Sequence, residues 1–115
     1  MDKSILKAAG IDYDDGVKRF MSNEALYEKM LVKFLDDTSL SDARNALADN
    51  DGDKLFMSVH SLKGISGNLS LTSVYDCSSK IVALIRSKDC AAIPNAMEEL
   101  VRLYDSTVKA IAAAR

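Results

Sequence analysis

The sequence predicts an all-α protein, an antiparallel four-helix bundle with short additional helices at its N-terminus. Three observations carry that expectation. Apolar residues recur at three- and four-residue steps through most of the chain, and no stretch alternates with a period of two. A single proline and five glycines leave long segments uninterrupted. At 115 residues the chain is long enough for one core, so it reads as a single domain over 1–115, with capping helices in 1–22 and the bundle in 23–115.

The elements follow in order. Ser4 to Ala9 makes a first short helix, closed by Gly10 as a left-handed cap. Asp12-Tyr13-Asp14-Asp15 starts a second, with acidic groups where the N-terminal dipole favours them, and carries Val17 and Phe20 inward. Ser22-Asn23 supplies another cap, after which Leu26, Met30, Leu31, Phe34 and Leu35 form the apolar face of a longer helix ending near Asp37. The pattern leaves open whether the segments on either side of Ser22 are one bent helix or two. Ser39-x-x-Asp42 resembles a capping box and opens a helix through Leu40, Ala43, Ala46 and Leu47. Asn50-Asp51-Gly52-Asp53 stops it. That quartet lacks the spaced ligands and terminal glutamate of a calcium loop, so it reads as a turn plus an N-cap.

A helix then runs to about Asn68. Val74, Cys77, Ile81, Leu84 and Ile85 mark the next, finishing near Ser87, and Lys88-Asp89 is the turn. The last carries Ile93, Met97, Leu100, Tyr104, Val108 and Ile111, with Pro94 in its first turn, where a missing amide proton costs little. The four main members are expected to be the helices beginning at Asn23, Asp53, Ser73 and Ile93, with the Ser39 helix extending or leading into the one after Asp53.

Composition excludes several function classes. A net charge of -2 and an isoelectric point near 5.3 offer no basic surface to a nucleic acid. Cys77 and Cys90 form no C-x-x-C and there is one histidine, so no metal site or disulfide framework is expected; two buried thiols in a reducing compartment fit better. Charges interrupt the apolar stretch at the N-terminus, and no uncharged run approaches the roughly 20 residues of a membrane span. A cytoplasmic protein is expected.

One stretch carries chemistry. Winding Lys54 to Leu69 as a helix puts Leu55, Val59, Leu62, Ser66 and Leu69 in one seam. His60 points roughly 140° away from the centre of that seam, at about 100° per residue, and Phe56, Lys63, Gly64 and Gly67 share its side. The only histidine is therefore presented to solvent. Its neutral ring nitrogen is a competent nucleophile near neutral pH. Lys63, one turn on, can place an ammonium beside an anionic group on His60. Gly64 and Gly67 leave the adjacent surface flat enough for another backbone, although each weakens the helix by about 1 kcal/mol relative to alanine.

His60-Ser61-Leu62-Lys63-Gly64-Ile65-Ser66-Gly67-Asn68-Leu69 resembles the H-x-L-K-G-x-x-x-N-L pattern of the histidine-containing phosphotransfer (HPt) domains of two-component phosphorelays. Gly10-Ile11-Asp12, Gly16, Asn23 to Tyr27 and Leu31 to Phe34 resemble the lead-in of that family, so the similarity spans most of the chain. Val59, Ser70 and Leu71 differ from the small residues common at those places, and Ile81-Val82 stands near a position where a glutamate is often found.

The resemblance implies a phosphocarrier without kinase activity of its own. His60 would be the phosphoacceptor, at Nε2, and Lys63 would stabilise the phosphate charge. Gly64, Gly67, Phe56, Met57 and Asn68 would meet the partner. It also implies response-regulator receiver domains and a hybrid histidine kinase as partners, a monomer, and no cofactor of its own, with magnesium on the receiver side. Plainer readings stand beside these: a solvated Lys63, a tight helix contact at Gly64, a helix-end cap at Asn68, and core packing of Phe56 and Met57. Two further functions remain open, a non-phosphorylated adaptor or inhibitor of a receiver or kinase, and a fragment of a larger kinase. With no glycine-rich phosphate loop and no length left for a nucleotide-binding domain, an autonomous kinase is excluded.

Overall fold

A computed structural model describes all 115 residues as seven α-helices and two single 3-10 turns. The helices are α1 (Lys3–Ala8), α2 (Tyr13–Arg19), α3 (Glu24–Lys33), α4 (Ser39–Ala48), α5 (Gly52–Asn68), α6 (Thr72–Arg86) and α7 (Ile93–Ala114), with 3-10 turns at Phe34–Asp36 and Cys90–Ala92. There are no strands, only an isolated antiparallel bridge between Ile11 and Leu71. No helix is long and apolar enough to cross a membrane.

Side-chain caps start the helices where acidic and amide residues precede them. Asp2 accepts from the amides of Ser4 and Ile5, Asp12 from Asp15, Asn23 from Leu26 and Asp51 from Lys54. The α4 start differs from the expected capping box. Thr38 is the N-cap, its hydroxyl donating to Asp42 at 3.3 Å, while Ser39 turns back and gives both its amide and its hydroxyl to Asp37. The nearer carboxylate captured the serine.

Helix ends share one device. α1, α2, α4, α5 and α6 each close with a left-handed residue, at Gly10, Met21, Asn50, Ser70 and Lys88, followed by an amide that reaches back to the last turn of the helix. Ser22 is left-handed as well, so the chain breaks fully between α2 and α3, and the two are separate helices.

Helices α4 to α7 form the bundle. α4 folds back along α5, α5 packs equally closely on α6, and α6 packs on α7; lighter contacts of α7 with α4 and α3 close the ring. This corrects the expected membership, since α4 lies beside α5 as a full partner and α3 contributes at one end. The reason lies in α4: Leu40, Ala43 and Ala46 are buried, and the alanines let the two backbones come close. α1 lies against α7 and joins α2 in covering the end of the bundle where α5 passes into α6. The α5 seam is the centre of the core, with Leu55, Val59, Leu62, Ser66 and Leu69 all buried. Cys77 is buried, whereas Cys90, expected inside, is exposed because it falls in the 3-10 turn before α7.

Candidate functional site

The site grows from the way α5 is held. Its apolar seam fixes the rotation of the helix about its axis, so the opposite face stays in solvent and His60 stands exposed on it. Ser66 sits in the seam and satisfies its hydroxyl by donating to the carbonyls of Leu62 at 2.7 Å and Lys63 at 3.1 Å. At the far end α5 closes on Ser70, a serine in the left-handed conformation (φ 55°) that usually falls to glycine. The amides of Ser70 and Leu71 reach the carbonyls of Gly67 and Ser66, ending the helix one residue past Asn68.

His60, Lys63, Gly64, Gly67 and Asn68 line one shallow cavity of about 250 Å³. Lys63 is half-buried and forms no ion pair, and Asn68 is exposed. A Cβ on Gly64 would meet nothing within 4 Å. The tight helix contact that could have explained this glycine is therefore absent, and its bareness serves no packing purpose. A Cβ on Gly67 would meet the Tyr75 ring at an ordinary contact distance of 4.0 Å.

Phe56 and Met57 lie apart from that cavity and line a second, larger and more apolar one of about 980 Å³ with Leu47, Ile85, Ile93 and Pro94. Met57 is 70% exposed and so is no core residue. Phe56 is partly buried and links the two regions. Its ring stacks on the His60 imidazole with centroids 5.6 Å apart, and the Arg86 guanidinium lies over the same ring at 5.5 Å. The stack restrains the imidazole without covering it.

Two residues of the His60 cavity went unnoticed in the sequence, Arg19 from α2 and Tyr75 from α6. Asp15 and Arg19 stand four apart and form the ion pair that this spacing allows, Nε donating to Oδ2 at 2.8 Å. Spacing alone gives no hint of where α2 lies. The same Asp15 oxygen accepts from the Ser70 hydroxyl at 2.6 Å. These two donors, Ser70 foremost, hold the Asp15 carboxyl below the usual carboxylate range, and Asp15 in turn raises the Arg19 guanidinium. Asp12 completes the join by donating its amide to the Ser70 carbonyl at 3.0 Å.

The charges lining the cavity are those of Lys63 and Arg19, and no carboxylate is among its walls, although the chain as a whole is acidic. An exposed imidazole that shares its cavity with the unpaired Lys63 and the Asp15-paired Arg19 suits a nucleophile that acquires negative charge. No group of acidic, histidine and cysteine side chains is arranged to hold a metal ion. No curated protein and no solved structure matches the chain. A family model, the Hpt domain, does match over residues 29–113, which include the whole of α4 to α6 and most of α7. With most of its length covered by that match and its single histidine exposed on a bundle helix, this chain belongs to the Hpt domain family of phosphorelay proteins.

Proposed function

We propose that the protein is a phosphorelay intermediate that takes a phosphoryl group onto His60 from the aspartyl-phosphate of one receiver domain and passes it to the aspartate of another. The exposed imidazole in a cavity whose only charges are cations supports this reading best. In the forward step a ring nitrogen attacks phosphorus in line. The N–P bond forms as the P–O bond to the receiver breaks, and the electron pair leaves with the aspartate carboxylate. The reverse transfer retraces the same path. Lys63 offsets part of the charge on phosphohistidine, and Gly64 leaves room for the receiver's backbone to come close. Magnesium belongs to the receiver in this scheme, and a hybrid histidine kinase supplies the first phosphate.

Such a reaction asks little of this chain beyond a nucleophile and a docking face, because phosphoryl transfer is governed by positioning and charge. A single core of 24 buried residues, drawn from the N-terminal helices as well as the bundle, closes within one chain, which supports a monomer, testable by sedimentation. Incubation with a receiver loaded from acetyl phosphate tests the carrier reading. Acid-labile phosphate is expected on the wild type and none on His60→Gln. Phosphate on neither, with binding retained, would mean an adaptor and would overturn the proposal.

A further inference from the structure

The N-terminal helices reach into the His60 site from outside the matched residues 29–113. We propose that Arg19 is a second phosphoryl-binding cation of that site, aimed by a clamp of Asp15 and Ser70. The inference rests on His60 being the phosphoacceptor.

The geometry makes the case in three steps. Arg19 lines the same cavity of about 250 Å³ as His60 and Lys63, so α2 brings a cation to the cavity onto which the imidazole opens. Only its Nε is engaged, on Asp15 at 2.8 Å; the remaining donors of the guanidinium make no hydrogen bond within the protein. A planar fork with one edge anchored and the other free is suited to phosphoryl oxygens, which accept two parallel hydrogen bonds.

The third step concerns the anchor. An exposed i,i+4 ion pair would ordinarily leave a long side chain loose. Here Asp15 is itself fixed from the side of α5, by the Ser70 hydroxyl at 2.6 Å, and the α2 start is tied there by the Asp12 amide at 3.0 Å. Ser70 takes up the left-handed conformation at the helix exit, where glycine would be less strained, and its hydroxyl is the group that makes this contact. The position of Arg19 is thus referred to the same helix that carries His60. Lys63 brings a flexible point charge from within α5, and Arg19 brings a directional one from across the cavity.

Phosphoramidate, a small donor that needs no receiver, provides the test. The wild type is phosphorylated while the side-chain nitrogen resonances of Arg19 are followed by NMR, and uptake rates are compared for wild type, Arg19→Ala and Arg19→Lys. Expected are a shift of the Arg19 Nη signals on phosphorylation, uptake slowed about tenfold in Arg19→Ala, as for loss of one charge-assisted hydrogen bond in a half-exposed site, and partial recovery in Arg19→Lys. Unmoved Nη signals overturn the inference, and so does an alanine variant that matches wild type. If the wild type itself takes no phosphate on His60, the phosphoacceptor reading fails, a result distinct from the other two.

Discussion

The Tyr27 hydroxyl donates to the Leu69 carbonyl at 2.7 Å, which ties α3 to the C-cap residue of the histidine helix. Tyr27 is fully buried, and burial together with nearby Asp12 and Asp15 raises its phenol well above the ordinary tyrosine value. The group stays neutral and remains a donor throughout the physiological range. Tyr27→Phe would keep the ring and leave a buried carbonyl without that partner. The expected cost is about 1–3 kcal/mol, read as a lower denaturant midpoint at unchanged slope.

Gly16 and Gly64 should answer opposite ways to the same substitution. A Cβ on Gly16 would run into the ring of Tyr27, which is packed between Tyr13 and Phe20 and has little freedom to move. Gly16→Ala is expected to destabilise by about 1–3 kcal/mol through overpacking. Gly64→Ala meets open space and gains helix propensity, so it should stabilise by about 0.5–1 kcal/mol. Gly64→Gln should also fold, yet lose transfer to receivers because the side chain fills the approach. Thermal melts with a transfer assay on the three variants decide it; a destabilised Gly64→Ala would return that glycine to a packing role.

Helix ends show where the sequence was legible and where it was silent. The α5 seam, the caps at Asp12 and Asn23, an N-cap within the Asn50–Asp53 turn, and the exposure of His60 could be read directly, because each depends on residues close together in the chain. His60, Lys63, Gly64, Gly67 and Asn68 share one helix, so spacing alone brings them together. Arg19 reaches them only through the docking of α2 on the α5 exit, a tertiary event that no local pattern encodes. The role of α4 was hidden for the same reason, since two amphipathic helices with similar apolar stripes, α3 and α4, competed for one place. Of the five left-handed helix ends, Gly10 and Asn50 announce themselves, while Met21, Ser70 and Lys88 are residues that rarely choose that conformation.

Lys88 offers a clean test of that last cost. It is exposed, forms no ion pair, and holds φ at 58°. Lys88→Gly removes the steric penalty while the amide bonds of the turn, Lys88 to Ile85 at 3.1 Å and Asp89 to Leu84 at 3.0 Å, can persist. Relief of left-handed strain, about 1–2 kcal/mol, exceeds the added unfolded-state entropy of glycine, which is below about 1 kcal/mol. A net gain of about 0.5–1 kcal/mol is expected in chemical denaturation. An unchanged or lower midpoint would show that the turn holds lysine without strain.

Lys63 should separate function from stability. Its ammonium has no carboxylate partner, so Lys63→Ala is expected to alter folding stability by no more than about 0.5 kcal/mol. Phosphohistidine on the variant should hydrolyse faster or be transferred more slowly, by about tenfold, because one of the two cations of the cavity is gone. Phosphohistidine lifetime and transfer rate, measured beside a denaturation curve, would show the two effects part. Equal kinetics in variant and wild type would remove Lys63 from the chemistry.

The clamp at Asp15 should be sensitive to acid, and the sign follows from its two donors. The Ser70 hydroxyl and then the Arg19 guanidinium favour the charged carboxylate, so its folded-state pKa lies below the unfolded value of about 3.9. A depressed pKa of this kind contributes stability that is fully present above the unfolded value and is lost as pH falls through the folded one. Between neutrality and about pH 5 the stability gap between wild type and Asp15→Asn should therefore stay constant. Below about pH 4 it should narrow, as protonation makes the wild-type side chain resemble the amide in charge. A carbon-detected NMR titration of the carboxyl should give a midpoint below the ordinary aspartate range in the wild type and a higher one in Ser70→Ala. The Arg19 Nε signal should change over the same interval, because protonated Asp15 no longer holds the guanidinium as an ion pair; an Nε signal indifferent to that titration would uncouple Arg19 from the clamp.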